Sequence, residues 1–133
     1  MTAWRKFRHL SREEKRLLAE AVALLACVRV GLRVLPLRTL RRALEVRPTA
    51  EAVSIERVTW AVTAAARRVR GTTCLVTALV VSAMLRRHGH ESVLRIGVRQ
   101  SDRSLLEAHA WVECKGIVVM GELPEMAGYA VLA

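Results

Sequence analysis

Apolar positions in the first two thirds of the chain recur with the three-to-four-residue spacing of α-helices. Ser11 and Glu14 form a capping box ahead of the first such run, and Pro36 ends it. Charged arginines fill the positions between the later apolar residues, as on the wet side of a helix. The predicted helices are Arg12–Leu35, Leu37–Leu44, Glu51–Val69, and a fourth that starts from a cap at Thr72 or Thr73 and reaches about Arg87 or His88.

After Gly89 the pattern changes from helical spacing to the strict alternation that is typical of half-buried strands. Lys115-Gly116 is typical of a tight hairpin turn between two of these strands. Helices followed by a small antiparallel sheet define the α+β class, which we therefore predict for this chain. The predicted strands are Ser92–Gln100, Leu106–Cys114 and Ile117–Glu122, and the tail from Leu123 is left unassigned.

A chain of 133 residues is long enough for one core, so we expect a single domain over residues 1–133. The longest uncharged stretch, residues 71–85, is shorter than the roughly 20 apolar residues of a membrane span, so no transmembrane segment is expected. The first ten residues lack the apolar segment of a secretion signal, and the three cysteines form no C-x-x-C pair. These features favour a cytoplasmic protein with free thiols.

The net charge of +10 lies entirely in the first half, because lysine and arginine exceed acids only in residues 1–70 and balance them in residues 71–133. A basic half attracts nucleic acid, acidic lipid or an acidic protein surface. A basic nucleic-acid-binding protein is therefore a rival interpretation. Aromatic residues make up only 4% of the chain and no nucleic-acid-binding motif is present, so no nucleic acid is expected as a partner. We interpret residues 1–70 as a helical part that helps to dock a partner.

Cys74 opens the uncharged fourth helix, directly after Gly-Thr-Thr. A thiol in the first turn of a helix faces unpaired backbone N–H groups and the positive end of the helix dipole, and both favour the nucleophilic thiolate. The same N–H groups can stabilise an oxyanion. Cys74 is accordingly the candidate nucleophile. The alternative is a small, buried core residue, which is how free cysteines are often used.

His109 is the candidate base for that nucleophile. Alternation along the predicted strand puts it on one face with Trp111 and Glu113, where its orientation is restricted. A buried, hydrogen-bonded structural histidine is the alternative. A zinc site built from His109 with Cys114 and the nearby histidines lacks zinc-finger spacing, so no metal or cofactor is expected. The histidines expected at the surface are His9, His88 and His90.

An acid that orients the imidazole is the third group to look for. If Lys115-Gly116 closes a two-residue hairpin, Glu122 faces His109 across the sheet, with Cβ atoms about 5 Å apart. Glu113 shares the face but lies closer to the turn. Glu122 is therefore the first candidate and Glu113 the second, and a one-residue slip in register would undo this assignment.

The segments "CLVTALVVSAMLRRHGHESVLRIGV" and "AHAWVE", with the helical "LLAEAVALLACVRVGLRVLP" before them, resemble the transglutaminase-like, papain-like protease component of lasso-peptide biosynthesis. The resemblance covers nearly the whole chain. It implies a cytoplasmic cysteine peptidase that removes the leader from a ribosomally made lasso precursor, so that a separate cyclase can close the macrolactam ring. Its implied partners are a small leader-recognition protein, the precursor leader and the macrolactam cyclase.

Carried onto this chain, the resemblance makes Cys74 the nucleophile and His109 the base. The family usually has an Asp twelve residues after the histidine, whereas this chain has Gly121 there and Glu122 next to it. The acid of the expected catalytic triad is thus displaced or missing. A transglutaminase-like scaffold without activity is the corresponding rival to the enzyme interpretation.

Overall fold

The computed structural model describes residues 8–45, 52–69, 71–100, 106–121 and 130–131. Helices come first and an antiparallel sheet follows, which confirms the predicted α+β class. The boundaries fall within two residues of their predicted positions, except at the third helix, which starts four residues later and ends three residues earlier than predicted. The elements are α1 (Arg12–Val34), α2 (Leu37–Ala43), α3 (Ile55–Ala66), α4 (Cys74–Arg87), β1 (Val93–Gln100), β2 (Leu106–Cys114), β3 (Ile117–Met120) and β4 (Ala130–Val131).

Side-chain caps set the starts of the three longer helices. The capping box of α1 is present in both directions, with Ser11 and Glu14 each bonded to the other's backbone N–H. Ser54 caps α3 by accepting from the N–H of Arg57, so α3 begins four residues later than the predicted Glu51. The predicted start was wrong because it relied on the spacing of apolar residues, whereas the capping serine decides where the helix begins. Residue 51 itself lies outside the described residues.

α4 lies at the centre of the molecule. It packs on α1 and α3 with one side and on β2 and β1 with the other. A helix covered from both sides has to be apolar nearly all round, and this explains the long uncharged stretch in the sequence. Its buried residues are Val76, Ala78, Leu79, Val80, Val81, Ala83, Met84 and Leu85.

The sheet has the strand order β3-β2-β1-β4, with antiparallel pairing throughout. β4 lies in the tail that the sequence left unassigned, and it pairs with the middle of β1 through Gly97 and Val98. Two residues are too few to show alternation, so only the tertiary pairing reveals this strand. Among the helices that the structure describes, none is long and apolar enough to cross a membrane.

The β2–β3 hairpin turns at Lys115 and Gly116, whose φ angles of 51° and 79° are those of a type I′ turn. Next to the turn, Glu113 pairs with Val118 as expected. The following pair is Val112 with Met120, because a bulge shifts the register by one residue. The register that was expected to bring Glu122 opposite His109 therefore ends at Glu113, and Glu122 itself lies outside the described residues.

His88 is buried, with 5% of its surface exposed, so its predicted place at the surface was wrong. Its Nε2 lies 3.2 Å from Glu20 Oε2 on α1, and Arg87 Nε lies 2.9 Å from the other oxygen of the same carboxylate. His90 is half-buried and its Nε2 contacts the carbonyl of Val53. The sequence missed both because their partners are far away in the chain, on α1 and before α3.

Glu20→Ala should destabilise the protein because it removes the carboxylate that His88 and Arg87 share in a mostly buried position. We expect the free energy of unfolding to fall by about 2 kcal/mol, as for other buried polar groups that lose a partner. Urea unfolding followed by circular dichroism measures this free energy. Glu13→Ala is the matched control, because the Glu13–Arg57 pair is half exposed and such pairs contribute less than about 1 kcal/mol. Equal losses in the two variants would contradict the prediction.

Candidate functional site

Cys74 is the first residue of α4, and it is exposed to solvent. The alternative of a buried core cysteine is therefore wrong for this position. Thr73 caps the helix with its side chain, which accepts from the N–H of Val76, while its carbonyl accepts from Thr77. Since no helical carbonyl precedes the first turn, the N–H groups of Cys74 and Leu75 have no acceptor within the helix and point toward its start. An exposed thiol with adjacent donors is an arrangement suited to thiolate and oxyanion chemistry.

Arg29 of α1 contacts the turn that leads into Cys74, and the sequence did not predict this contact. A Cβ added to Gly71 would lie 2.8 Å from the Arg29 guanidinium, so the arginine of α1 packs directly on this glycine. Any side chain at Gly71 would displace the guanidinium. Arg29 thus places a fixed positive charge beside the turn before Cys74. Nothing in the local pattern around Arg29 predicts this contact, because the two residues meet only through the packing of α1 on α4.

His109 lies in the middle of β2, half-buried, opposite Gly97 of β1. Its ring stacks on Trp111, with the centroids 6.0 Å apart and the planes inclined by 20°. The predicted sharing of a face by these two residues is confirmed. Alternate residues of the strand, among them Ala110 and Val112, belong to the buried core. The neighbouring Trp111 is only 4% exposed, so the imidazole is held by packing on one side.

The imidazole of His109 also has a main-chain partner, since its Nε2 lies 2.5 Å from the carbonyl oxygen of Gly121. A carbonyl can only accept, so in this bond Nε2 carries the proton and donates it. In the neutral ring the proton-free nitrogen is then Nδ1, which is the nitrogen that could accept a proton from a thiol. Gly121 stands at the position where the resemblance leads one to expect an Asp. A backbone carbonyl contacts the imidazole from that position.

Gly121 is required by its own surroundings. Its φ is +86°, and a Cβ there would lie 2.8 Å from the carbonyl oxygen of Ala110 and 3.1 Å from Cβ of Trp111. An aspartate could not take this backbone position without moving the strand. The backbone position of Gly121 thus leaves no room for an acid and also brings its carbonyl into contact with His109.

Of the two candidate acids, Glu113 has a different partner. Its Oε2 accepts a hydrogen bond of 2.9 Å from Nε of Arg95 on the adjacent strand. The carboxylate of Glu113 is thereby directed toward the neighbouring strand β1. The role of Glu122 as the orienting acid stays a prediction, because that residue lies outside the described part of the chain.

Cys74 and His109 lie on two elements that pack against each other, α4 and β2. Ala110 and Val112 of β2 belong to the buried core, and alternation along the strand puts His109 on the opposite face. The packing of α4 on β2 therefore does not by itself bring the thiol to the imidazole. Their pairing stays a prediction.

Gly121→Ala should move the carbonyl away from His109, because the new methyl group would collide with the β2 backbone at a positive φ. We expect a loss of about 2 kcal/mol in the free energy of unfolding together with reduced turnover. Gly116→Ala is the matched control, since it also has positive φ, but a Cβ there meets nothing within 4 Å. Urea unfolding and the pH–rate profile measure the two effects. A turnover loss as large in Gly116→Ala as in Gly121→Ala would count against this role of Gly121.

The other cysteines differ from Cys74 in their surroundings. Cys27 is exposed on α1, and Cys114 is buried at the end of β2. Burial raises the pKa of the Cys114 thiol, and the charge of Lys115 lowers it by a smaller amount. A raised pKa means that the fold favours the protonated thiol, so this contribution to stability is full below the unfolded-state pKa and is lost as the pH rises above it.

Stability should therefore fall above about pH 8.5 in part because of Cys114. In Cys114→Ala that part of the decline should be absent, although the variant is less stable at pH 7 because it loses buried contacts. Urea unfolding at several pH values between 7 and 10 measures the slope. Cys27→Ala, which changes an exposed thiol, should keep the wild-type slope. A Cys114→Ala slope equal to that of the wild type would show that Cys114 does not contribute.

A metal centre finds no support in the part of the chain that the structure describes. In that part, no three His, Cys, Asp or Glu side chains are arranged so that they could hold a metal ion. The side chains of the alternative zinc site, which are those of His88, His90, His109 and Cys114, are therefore not arranged to hold a metal ion together. All four residues are described, and two of the histidines have partners in other elements.

These features define an α+β protein with an exposed thiol at the start of a central helix and a histidine on the sheet that this helix packs against. The chain belongs to the transglutaminase-like superfamily, whose family model matches residues 18–133. The match covers all of the described helices except the first six residues of α1, and all four strands. No curated protein and no solved structure matches the chain in addition. Membership in this superfamily is compatible with cysteine peptidase activity.

Proposed function

We propose that this protein is a cysteine peptidase that removes the leader peptide from a ribosomally made lasso precursor, with Cys74 as nucleophile and His109 as base. The single observation that supports this most is the exposed position of Cys74 at the capped start of α4, within a transglutaminase-like domain. An unreactive structural cysteine would be expected inside the core, as Cys114 is. The resemblance of the Cys74 and His109 segments to lasso leader peptidases supports the substrate class.

The first half of the proposed reaction forms a thioester. His109 accepts the thiol proton at Nδ1 while Nε2 donates to the Gly121 carbonyl. The thiolate of Cys74 attacks the carbonyl carbon of the leader–core bond, and backbone N–H groups at the start of α4 stabilise the oxyanion. The C–N bond then breaks, and the imidazolium gives its proton to the leaving amine, which is the new N-terminus of the core peptide.

The second half releases the leader. A water molecule loses a proton to the neutral imidazole of His109 and attacks the thioester carbon. The C–S bond breaks, the leader leaves with a free carboxylate, and Cys74 recovers its proton. No redox step and no cofactor enters this scheme. The released amine is the group that a separate cyclase needs for macrolactam formation.

Incubation of the protein with a lasso precursor peptide and a leader-recognition protein tests the proposal. In H₂¹⁸O we expect one ¹⁸O atom in the carboxyl group of the released leader, measured by mass spectrometry. Hydrolysis predicts this label, whereas unlabelled leader joined to the lysine side chain of an added peptide would indicate a transferase. An intact precursor after prolonged incubation with the wild-type protein would favour the rival of an inactive scaffold.

We further propose that the basic helical half docks the leader-recognition protein. Exposed arginines on α1 and α2 supply charge, and α1 also exposes apolar side chains beside them. Apolar surface rimmed by charge is typical of protein-binding sites. The large apolar side chains exposed along α1 and at its C-cap are Val22, Val30, Val34 and Leu35.

Binding of the recognition protein should weaken as salt rises, because screening reduces charge attraction. Cleavage of a precursor fused to the recognition protein should change less over the same salt range. Isothermal titration at about 50 and 500 mM NaCl compares the affinities. An affinity that does not change with salt would show that charge attraction does not contribute to docking. A gel shift with DNA or RNA at physiological salt tests the nucleic-acid rival, which predicts a shift that Cys74→Ala retains.

A further inference from the structure

We propose that the groove between α3 and the edge strand β3 binds an extended segment of the peptide substrate, which adds to the sheet as a further strand beside β3. The inference rests on the proposed function in taking a peptide as the ligand. It assigns a place and a conformation to that peptide. It also names the groups that would select its sequence.

The groove has a volume of about 450 Å³. One wall is β3 together with Gly121, and the other is a single stripe of α3. The residues of that stripe recur every three or four positions, so they lie along one side of the helix. They are Glu56, Thr59, Trp60, Thr63, Ala64 and Arg67.

β3 forms one edge of the sheet, where it pairs with β2 on its inner side. In the described residues no strand pairs with its outer side. An edge strand presents backbone N–H and C=O groups that an extended peptide can pair with. The bulge opposite Val112 bends β3 and increases its twist. Main-chain pairing of this kind provides affinity that depends little on the sequence of the ligand.

The unpaired edge of β3 favours a strand over a helix as the ligand. A helix bonds its own backbone groups internally and would leave this edge unpaired, whereas an extended chain can pair with it. From Glu56 to Arg67 the stripe is about 16 Å long at 1.5 Å per residue. An extended chain covers the same length with about five residues.

The helical wall of the groove offers three kinds of contact. Thr59, Thr63 and Ala64 are small and leave room for side chains of the ligand. Trp60 is 37% exposed and provides an aromatic surface. Glu56 and Arg67 bring opposite charges to the two ends of the stripe, so the preferred peptide is basic toward Glu56 and acidic toward Arg67.

The groove adjoins the candidate base and is connected to the candidate nucleophile through the chain. Gly121, which lines it, is the residue whose carbonyl contacts His109. Arg67 is the C-cap of α3, and the short connection that follows it ends at Cys74. A peptide bound along β3 would therefore continue toward the start of α4. This continuity is what makes a substrate the proposed occupant.

Panning a phage-displayed library of random decapeptides on the full-length Cys74→Ala protein tests the inference, because binding in this variant does not require hydrolysis. An enriched peptide is synthesised with a fluorophore, and its affinity is measured by polarisation. Thr63→Arg places a long side chain in the groove at an exposed position, and should weaken binding by at least about ten-fold. Arg67→Glu should weaken a peptide with an acidic end, whereas Arg68→Glu, an adjacent exposed arginine outside the groove, should not.

Amide NMR shifts of ¹⁵N-labelled Cys74→Ala protein give the second readout. Peptide addition should shift the amides of β3, and N-methylation of alternate peptide amides should abolish binding if strand pairing is right. The inference is overturned if no peptide is enriched, if Thr63→Arg binds equally well, or if the bound peptide is helical. It is also overturned if sedimentation shows a dimer that Thr63→Arg dissociates, because a second copy of the chain would then occupy the groove.

The two proposals can fail separately. Peptide binding lost in Thr63→Arg, together with an intact precursor in the wild-type cleavage assay, keeps the groove and ends the peptidase proposal. Precursor cleavage that is unchanged in Thr63→Arg, together with unchanged peptide binding, keeps the peptidase and ends the groove. Thermal unfolding of Thr63→Arg at the wild-type midpoint confirms that the variant is folded.

Discussion

Cys74→Ala should abolish leader removal, with a fall in turnover of at least about 1,000-fold, because no other group in the proposed mechanism can form the thioester. The fold should be unaffected. Cys74 is exposed at the first position of α4, and alanine is a good residue in a helix, so we expect stability within about 0.5 kcal/mol of the wild type. Precursor cleavage followed by mass spectrometry measures turnover, and urea unfolding measures stability.

Cys27→Ala is the matched control, because Cys27 is also exposed but lies in the body of α1. It should cleave the precursor at the wild-type rate. With iodoacetamide at neutral pH, Cys74 should be alkylated faster than Cys27, since only Cys74 has the donors of a helix start beside it. Full precursor cleavage by Cys74→Ala would end the peptidase proposal, and cleavage lost in both variants would show that the assay reports something other than the nucleophile.

His109→Ala should reduce turnover by about 100- to 10,000-fold, which is the usual contribution of a positioned general base. Some activity should return as the pH rises, because hydroxide then generates the thiolate without a histidine. Alkylation of Cys74 at pH 7 should also slow, because the proton acceptor is missing. A histidine that acted only by stacking on Trp111 would change stability, but it would not change the shape of the pH–rate profile.

His9→Ala provides the control for this variant, since His9 is exposed and lies ahead of α1. It should leave both the rate and its pH dependence unchanged. Turnover by His109→Ala at the wild-type rate and with the wild-type pH profile would remove His109 from the mechanism. In that case Cys74 would need another base.

Several parts of the fold could be predicted because their causes are local. The capping box at Ser11 and Glu14 and the proline at position 36 bound α1 through groups only a few residues apart. The start of α4 at Cys74 follows from the Thr73 cap, and the Lys115-Gly116 turn follows from the need for two positive φ angles. Short-range chemistry of this kind is fully contained in the sequence.

The candidate site was predicted only in part. The identity of Cys74 and His109 as candidates came from residue type and spacing, whereas the acid was argued from hairpin register. A bulge of one residue between the Glu113–Val118 pair and the Val112–Met120 pair changed that register, and no sequence pattern marked it. The contact of His109 with the Gly121 carbonyl depends on this shifted hairpin, so it could not be predicted.

The sequence by itself determined the helices apart from the ends of α3, the strands β1–β3, the Lys115-Gly116 turn and the place of a thiol at a helix start, because each depends on neighbours within a few residues. The tertiary structure alone decided which distant groups meet. It buried His88 against Glu20 on α1, placed Arg29 on Gly71, and formed the groove beside β3. Such contacts join elements far apart in the chain, and their geometry depends on how whole helices and strands pack.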